Sequence, residues 1–287
     1  MLFRLRMSID EAIRAYARLA KHVFSAQKWF FKDGKFKASR LEEAIATVIQ
    51  DALKIGEGES RSVRMLDEEA VKWYDFISSS FITSSPHSHH SFVCAMPEGN
   101  FNSPFLFRSW SPVANQTYDC TIVEAARATS AAPTFFKAIE FGEPIRQRYI
   151  DGGFGCNNPV RHVIEEAKSL FPTRPISCVI SLGTGAAGII GLDQANVFQR
   201  LLRRSLIKAL IGIATDCERR SEETAQDAAR LKLFQYTRLN VNQGLQHVSL
   251  AEWEKLAEVQ LHTLQYLKTQ SVGESVDRLV KVLRGGS

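Results

Sequence analysis

The 287-residue chain has few of the features that would stand in for a hydrophobic core or anchor it elsewhere. Its five cysteines, Cys94, Cys120, Cys156, Cys178 and Cys217, are odd in number and show no C-x-x-C spacing. That excludes a disulfide framework and a zinc site, and the residues read as buried thiols in a reducing compartment. Glycine and proline are scarce, 17 and 9 residues, which excludes collagen-like, mucin-like and wholly disordered chains. No apolar run approaches the ~18 residues that would span a bilayer. The longest, Leu206 to Ala214, carries Lys208. Met1 to Met7 holds two arginines and too few apolar residues for a signal-peptide core. Charge of one sign is also slight. Lysines and arginines number 36 against 31 acidic residues, a net +5 that permits attraction to anionic lipid surfaces and calls for no nucleic acid. The location expected from these features is the cytoplasm, with peripheral membrane contact open to the chain.

What is present is enough for a large α/β fold. Hydrophobic residues make up 45% of the chain, and a chain of this size buries about three quarters of its unfolded surface. Ser8-Ile9-Asp10-Glu11 spells a capping box, followed by a helical stripe from Ile9 to Phe24. Ser39-Arg40-Leu41-Glu42 predicts a second box, with a stripe through Leu53 and a stop at Gly56. Between them, Trp29 to Lys37 reads as an aromatic, basic loop. Ser91 to Met96, Phe105 to Trp110, Arg148 to Ile150 and Phe234 to Val241 read as strands. Ile176 to Leu182 is a continuous apolar run, the kind of strand buried on both faces of a parallel sheet. Val123 to Thr129 reads as helix, and Asn158-Pro159 opens another, with Asn158 as N-cap. From Asn196 onward the chain is mainly helical, ending in helices near Leu250 to Thr269 and Glu274 to Leu283.

The chemistry concentrates at Asp151-Gly152-Gly153. A carboxylate is delivered by a strand into two glycines that allow a tight turn and a close backbone approach. In parallel α/β sheets, reactive groups gather at the carboxyl ends of strands, where an Asp can serve as general base. Most Asp-Gly pairs are only turns, but this one has an ordered context. Ala126-Arg127-Ala128-Thr129-Ser130-Ala131-Ala132-Pro133-Thr134-Phe135-Phe136 precedes it. It continues through Phe154-Gly155-Cys156-Asn157-Asn158-Pro159, and Ser181-Leu182-Gly183-Thr184-Gly185 follows.

This set resembles the patatin-like phospholipases, most of all their fungal members, from Met1 to at least Ala167. The tail from Asn240 to Trp253 resembles the C-terminal extension of such proteins. The resemblance implies a three-layer α/β sandwich with a mostly parallel central sheet. Residues 1–167 would belong to the patatin-like domain and 168–287 to a strand and a mainly helical extension. It also implies a serine acyl hydrolase that uses a Ser-Asp dyad, needs no cofactor or metal, and acts on glycerolipid or phospholipid esters. Asp151 matches the base, with Gly152 and Gly153 as its motif. The absence of a convincing catalytic His fits a dyad, and His162 reads as a surface residue.

One departure is large. None of the 17 glycines begins a G-x-S-x-G, so the nucleophile elbow and the oxyanion loop are missing and the chain reads as N-terminally truncated. In serine hydrolases loss of the nucleophile costs about 10⁶ in rate. Ser130 lies in a small-residue turn, and Ser181 lacks the preceding glycine and the elbow geometry, so neither is expected to substitute. The expected function is therefore a lipid acyl hydrolase in truncated or inactive form, with a non-catalytic lipid-binding or interaction module as the alternative. Three competing signals are weaker. Gly183 to Gly188 matches a dinucleotide-binding G-x-G-x-x-G but lacks the acidic residue expected about 20 positions on. The histidines of Ser84 to His90 lack companion ligands and read as a solvated loop. Phe198 to Ile213 is amphipathic with Arg200, Arg203, Arg204 and Lys208, either docked on its own core or lying on a membrane.

Overall fold

The computed structural model describes residues 4–27, 34–67, 90–100, 103–112, 118–133, 135–185, 204–249 and 251–285, with 204–216 as backbone alone. The chain divides into two compact units, Met1–Cys156 and Asn157–Ser287.

In the first unit, α1 (Ile9–Phe24) starts at the capping box read from the sequence. Ser8 Oγ accepts from the Glu11 N–H at 3.3 Å, and the Glu11 carboxylate accepts from the Ser8 N–H at 2.8 Å. The second box does not form. α2 (Ala38–Leu53) starts with Lys37 at its cap and no side-chain cap bond. Glu42, the expected partner of Ser39, is drawn instead to the buried guanidinium of Arg127, 3.1 Å away. The helix also ends at Lys54, in the left-handed region at φ 54°, and Gly56 opens the short α3 (Glu57–Ser60). Its apolar stripe is where the periodicity puts it, with Leu41, Ala44, Ile45, Val48 and Ile49 buried. α4 (Ile122–Thr129) carries a capping box of its own, Thr121 with Glu124.

Four strands form the sheet of this unit: β1 (Phe92–Pro97), β2 (Phe105–Arg108), β3 (Ile139–Phe141) and β4 (Gln147–Asp151), in the order β2-β1-β4-β3. Every pairing is antiparallel. The mostly parallel central sheet expected from the resemblance is therefore not what these strands make. The connections give the reason. A parallel neighbour needs a crossover of about a dozen residues or more, whereas only residues 98–104 join β1 to β2 and 142–146 join β3 to β4. α4 lies against β1 and β4 as well as α2. Phe105, Phe107, Phe141 and Tyr149 form an aromatic cluster with ring centroids 4.8 to 5.5 Å apart. That spacing suits offset and edge-to-face packing.

The second unit contains α6 (Val160–Leu170), β5 (Cys178–Leu182), α7 (Arg204–Leu231), β6 (Gln235–Leu239), α8 (Leu256–Leu267) and α9 (Gln270–Leu283). The short α5 (Gly153–Cys156) ends the first unit. α6 has Pro159 at its cap with no side-chain cap bond, one residue later than the expected Asn158 cap, although Asn158 Oδ1 accepts from the Val160 N–H at 3.3 Å. β5 and β6 pair in parallel, because the long connection carrying α7 supplies the crossover. β5 is not buried on both faces as its apolar run predicts. Val179 and Ser181 are buried, while Ile180 and Leu182 are 42% and 71% exposed.

Several sequence features lie outside the described residues: Trp29 to Asp33 of the aromatic loop, Ser84 to His89, and the segment 186–203 with Arg200 and Arg203. His90 is described and packs edge-on against Trp110, with centroids 5.2 Å apart. Among the described residues, no helix is long and apolar enough to cross a membrane.

Candidate active site

Asp151 is the last residue of β4, paired in register with Ala95 of β1. β3 has already ended at this level. The Asp151 N–H that β3 would have taken donates instead to the carbonyl of Ala131, at 3.1 Å, just past the end of α4. The strand thus holds the residue on one side, and the Ala-rich turn after α4 holds it on the other. The carboxylate then bends the chain. Asp151 Oδ1 accepts from the Gly153 N–H at 2.6 Å, which closes a turn into α5.

Gly152 has a steric reason to be glycine. A Cβ there would drive into the Cys94 carbonyl of β1. That is a collision with paired backbone, which has little freedom to yield. The Cys156 N–H returns to the Gly152 carbonyl at 2.7 Å, so α5 begins at Gly153, within the motif itself.

The environment changes the acid–base character of Asp151. Burial disfavours its charged form and pushes its pKa from the ordinary 3.8 up to about 6, while the Gly153 N–H pulls weakly the other way. A carboxyl tuned in this way is still ionised at neutral pH and is a stronger base than an exposed aspartate.

Among the described residues, no serine hydroxyl is hydrogen-bonded to Asp151. Ser130 is the C-cap of α4, where its N–H donates to Ala126. Ser181 belongs to the second unit and is buried in a polar network, its Oγ accepting from Arg238 at 3.0 Å. Arg238 also pairs with Glu218 at 2.9 Å, and Asn240 donates to the same carboxylate at 3.1 Å. A hydroxyl engaged by a guanidinium is not a base-activated nucleophile. The glycine turn after β5 is tied into this network. The Gly183 N–H donates to the Leu239 carbonyl and the Gly185 N–H to Asn240 Oδ1, each at 2.8 Å. Those amides are already committed, so they do not cradle a phosphate. His162 sits on α6 beside Glu165, 3.4 Å from its carboxylate, with a side chain 28% exposed. Among the described residues, no group of three or more His, Cys, Asp or Glu is arranged to hold a metal.

Two features of the site escaped the sequence reading. Arg127 lies within the Ala-rich motif and is buried to 1% exposure. It ties α4 to Glu42 of α2 and, at 3.0 Å, to the Lys137 carbonyl, spanning the segment whose Ala131 receives the Asp151 N–H. An arginine among small apolar residues was the available signal. The other is Cys94, which packs against Cys156 beside the motif.

A family model described as patatin-like phospholipase matches residues 3–164. Calcium-independent phospholipase A2-gamma of Rattus norvegicus is 30% identical over 193 residues, which cover 64% of this chain and 23% of that protein. The Oryctolagus cuniculus protein of the same name is 44% identical over 126 residues, 42% of this chain and 15% of that protein. Patatin-like protein 3 of Arabidopsis thaliana is 35% identical over 101 residues, 29% of this chain and 24% of that protein. The matches thus span less than a quarter of the length of these relatives.

Proposed function

Because the chain belongs to the patatin-like phospholipase family, we propose that it is the base-bearing part of a lipid acyl hydrolase, with Asp151 as the general base of a Ser-Asp dyad. The observation that carries this reading is the Asp151 carboxyl itself. It is fixed at a strand end by Ala131 and Gly153 and tuned by burial to about 6, inside the segment that matches the family. The names of the relatives, calcium-independent phospholipases A2, point to phospholipid acyl esters as the substrate class.

In this mechanism Asp151 takes the proton of a serine hydroxyl as its oxygen attacks the acyl carbonyl. It returns the proton to the departing lysolipid oxygen and then activates the water that frees the fatty acid. The 287 residues hold no G-x-S-x-G. The serine and the oxyanion donors of this reading therefore come from a segment outside them, and membrane contact during turnover is peripheral.

The test uses a fluorophosphonate probe and a p-nitrophenyl acyl ester. The chain by itself should neither label nor turn over. Joined to a segment carrying G-x-S-x-G, it should do both, and Asp151→Asn should lower turnover by about 10²–10⁴. Labelling of a serine within the 287 residues, or full turnover in the Asp151→Asn form, would overturn the assignment. A second reading, a lipid-binding module without catalysis, is favoured by the lack of any described serine on Asp151. Vesicle binding by the chain, with no hydrolysis by the joined form, would decide for it.

A further inference from the structure

Cys94 and Cys156 stand 62 positions apart in sequence, yet their sulfurs lie 3.1 Å from one another, closer than two unbonded sulfurs comfortably pack. All five cysteines are thiols rather than disulfides, and the acyl-hydrolase mechanism uses none of them. We propose that Cys94 and Cys156 form a redox modification site, a dithiol that a small hydroperoxide oxidises to a disulfide across the turn carrying Asp151.

Three observations support this. A disulfide bond is about 2.05 Å long, so the sulfurs have only about 1 Å to close. Both backbones are already fixed around the same glycine. The Cys94 carbonyl faces Gly152, and the Cys156 N–H donates to the Gly152 carbonyl at 2.7 Å. Closure therefore takes place between two backbones already tied to one turn. Finally, Leu106 and Phe92 close over the pair, and each cysteine is only 7% exposed. That cover excludes bulky thiols and selects a small neutral oxidant.

The chemistry balances in two steps. One thiolate attacks a peroxide oxygen, the O–O bond breaks, and the products are a sulfenic acid and water (or an alcohol from an organic hydroperoxide). The second thiol then attacks the sulfenic sulfur, forming the S–S bond and releasing water. The two cysteines lose two electrons, and the peroxide takes them. The hydrogen bond from Cys156 and burial both hold the Cys94 thiol far above its usual range. Oxidation is accordingly slow near neutrality and accelerates as pH rises.

The experiment treats the 287-residue chain with hydrogen peroxide, blocks remaining thiols in denaturant, and maps peptides by mass spectrometry. The expected result is one disulfide joining the peptides of Cys94 and Cys156, formed faster at higher pH. It should be accompanied by a higher melting temperature that is lost when the protein is reduced with dithiothreitol in denaturant and refolded. Cys156→Ser and Cys94→Ala should each abolish both the cross-link and the melting shift. Should either variant fail to fold, the wild-type peptide map still decides. Recovery of both residues as blocked thiols or as sulfinic acids, or a disulfide joining other cysteines, would overturn the proposal. The outcome does not depend on Asp151 being a base, so failure here leaves the hydrolase reading standing, and failure of that reading leaves this one standing.

Discussion

Replacing Asp151 by asparagine is expected to stabilise the protein in alkaline solution and to leave it unchanged in acid. In the native state burial raises the carboxyl from 3.8 to about 6, so the folded protein holds its proton more tightly than the unfolded chain. The sign follows from linkage. The stability due to the neutral carboxyl is fully present below about 3.8 and is lost as pH rises through about 6. Above that, the native state carries a partly buried anion. The gap between the two values, at about 1.36 kcal/mol per pH unit, sets its cost at about 3 kcal/mol. Asparagine is nearly isosteric, retains an Oδ1 to accept the Gly153 N–H, and never ionises. The Asp151→Asn protein should therefore be more stable than wild type by about 3 kcal/mol at pH 8 and by almost nothing at pH 3.5. In a melt this is a rise of about 6–12 °C at pH 8.

Urea denaturation followed by circular dichroism at pH 3.5, 5, 6 and 8 measures the difference directly. Its growth should be confined to the interval between about 4 and 6.5, the signature of one titrating group. A difference that is independent of pH, or a loss of stability at pH 8, would refute the reasoning. So would a carboxyl resonance of Asp151 that titrates near 4. Such a trade, stability given up to keep a basic carboxylate in a dry place, is common at functional sites.

Three other outcomes follow from the same geometry. Gly152→Ala should cost about 1–3 kcal/mol or more, because its Cβ meets the backbone of β1, and a loss of near-ultraviolet dichroism from the aromatic cluster would report it. Glu42→Ala should cost about 3–5 kcal/mol by leaving the buried Arg127 guanidinium without its carboxylate, whereas Arg127→Met should cost less, since Glu42 is 35% exposed and can turn to water. The order of the two urea midpoints checks this, and a reversed order would count against it. Thr121→Ala should lower stability by about 1 kcal/mol through loss of the α4 cap, as measured by thermal melting.

The parts of the fold legible in the sequence were those set by neighbours a few positions apart. Ser8 and Glu11, the stripe from Leu41 to Ile49 and the Asp151 turn all depend on spacings of two to four residues, and all are present, while the α6 cap falls on Pro159, one residue past Asn158. What the sequence reading missed depends on partners far along the chain. Glu42 leaves its own helix cap for Arg127, 85 positions away, and nothing in the local motif announces that competition. The thiols of Cys94 and Cys156 are brought together by the β1–β4 register and the α5 turn, and their spacing carries no mark of it. The antiparallel sheet is a different case. The connections at 98–104 and 142–146 are too short for crossovers, so the sequence did contain the answer, although the family pattern pointed elsewhere. Ile180 and Leu182 show the limit of hydrophobicity itself, since an apolar run states what can be buried and not what covers it.

The steric demand at Gly152 and the basicity of Asp151 are one physical arrangement seen from two sides. β1 approaches β4 so closely at this level that only a hydrogen fits between Gly152 and the Cys94 carbonyl. The same approach pairs Ala95 with Asp151, while the turn after α4 takes the Asp151 N–H through Ala131. Burial is the largest influence on that carboxyl, so a side chain at position 152 that pushed β1 outward would also lower the pKa of Asp151. The motif therefore couples shape to proton affinity. Its glycine is required by the strand spacing, and burial at the same level is what makes the aspartate a base.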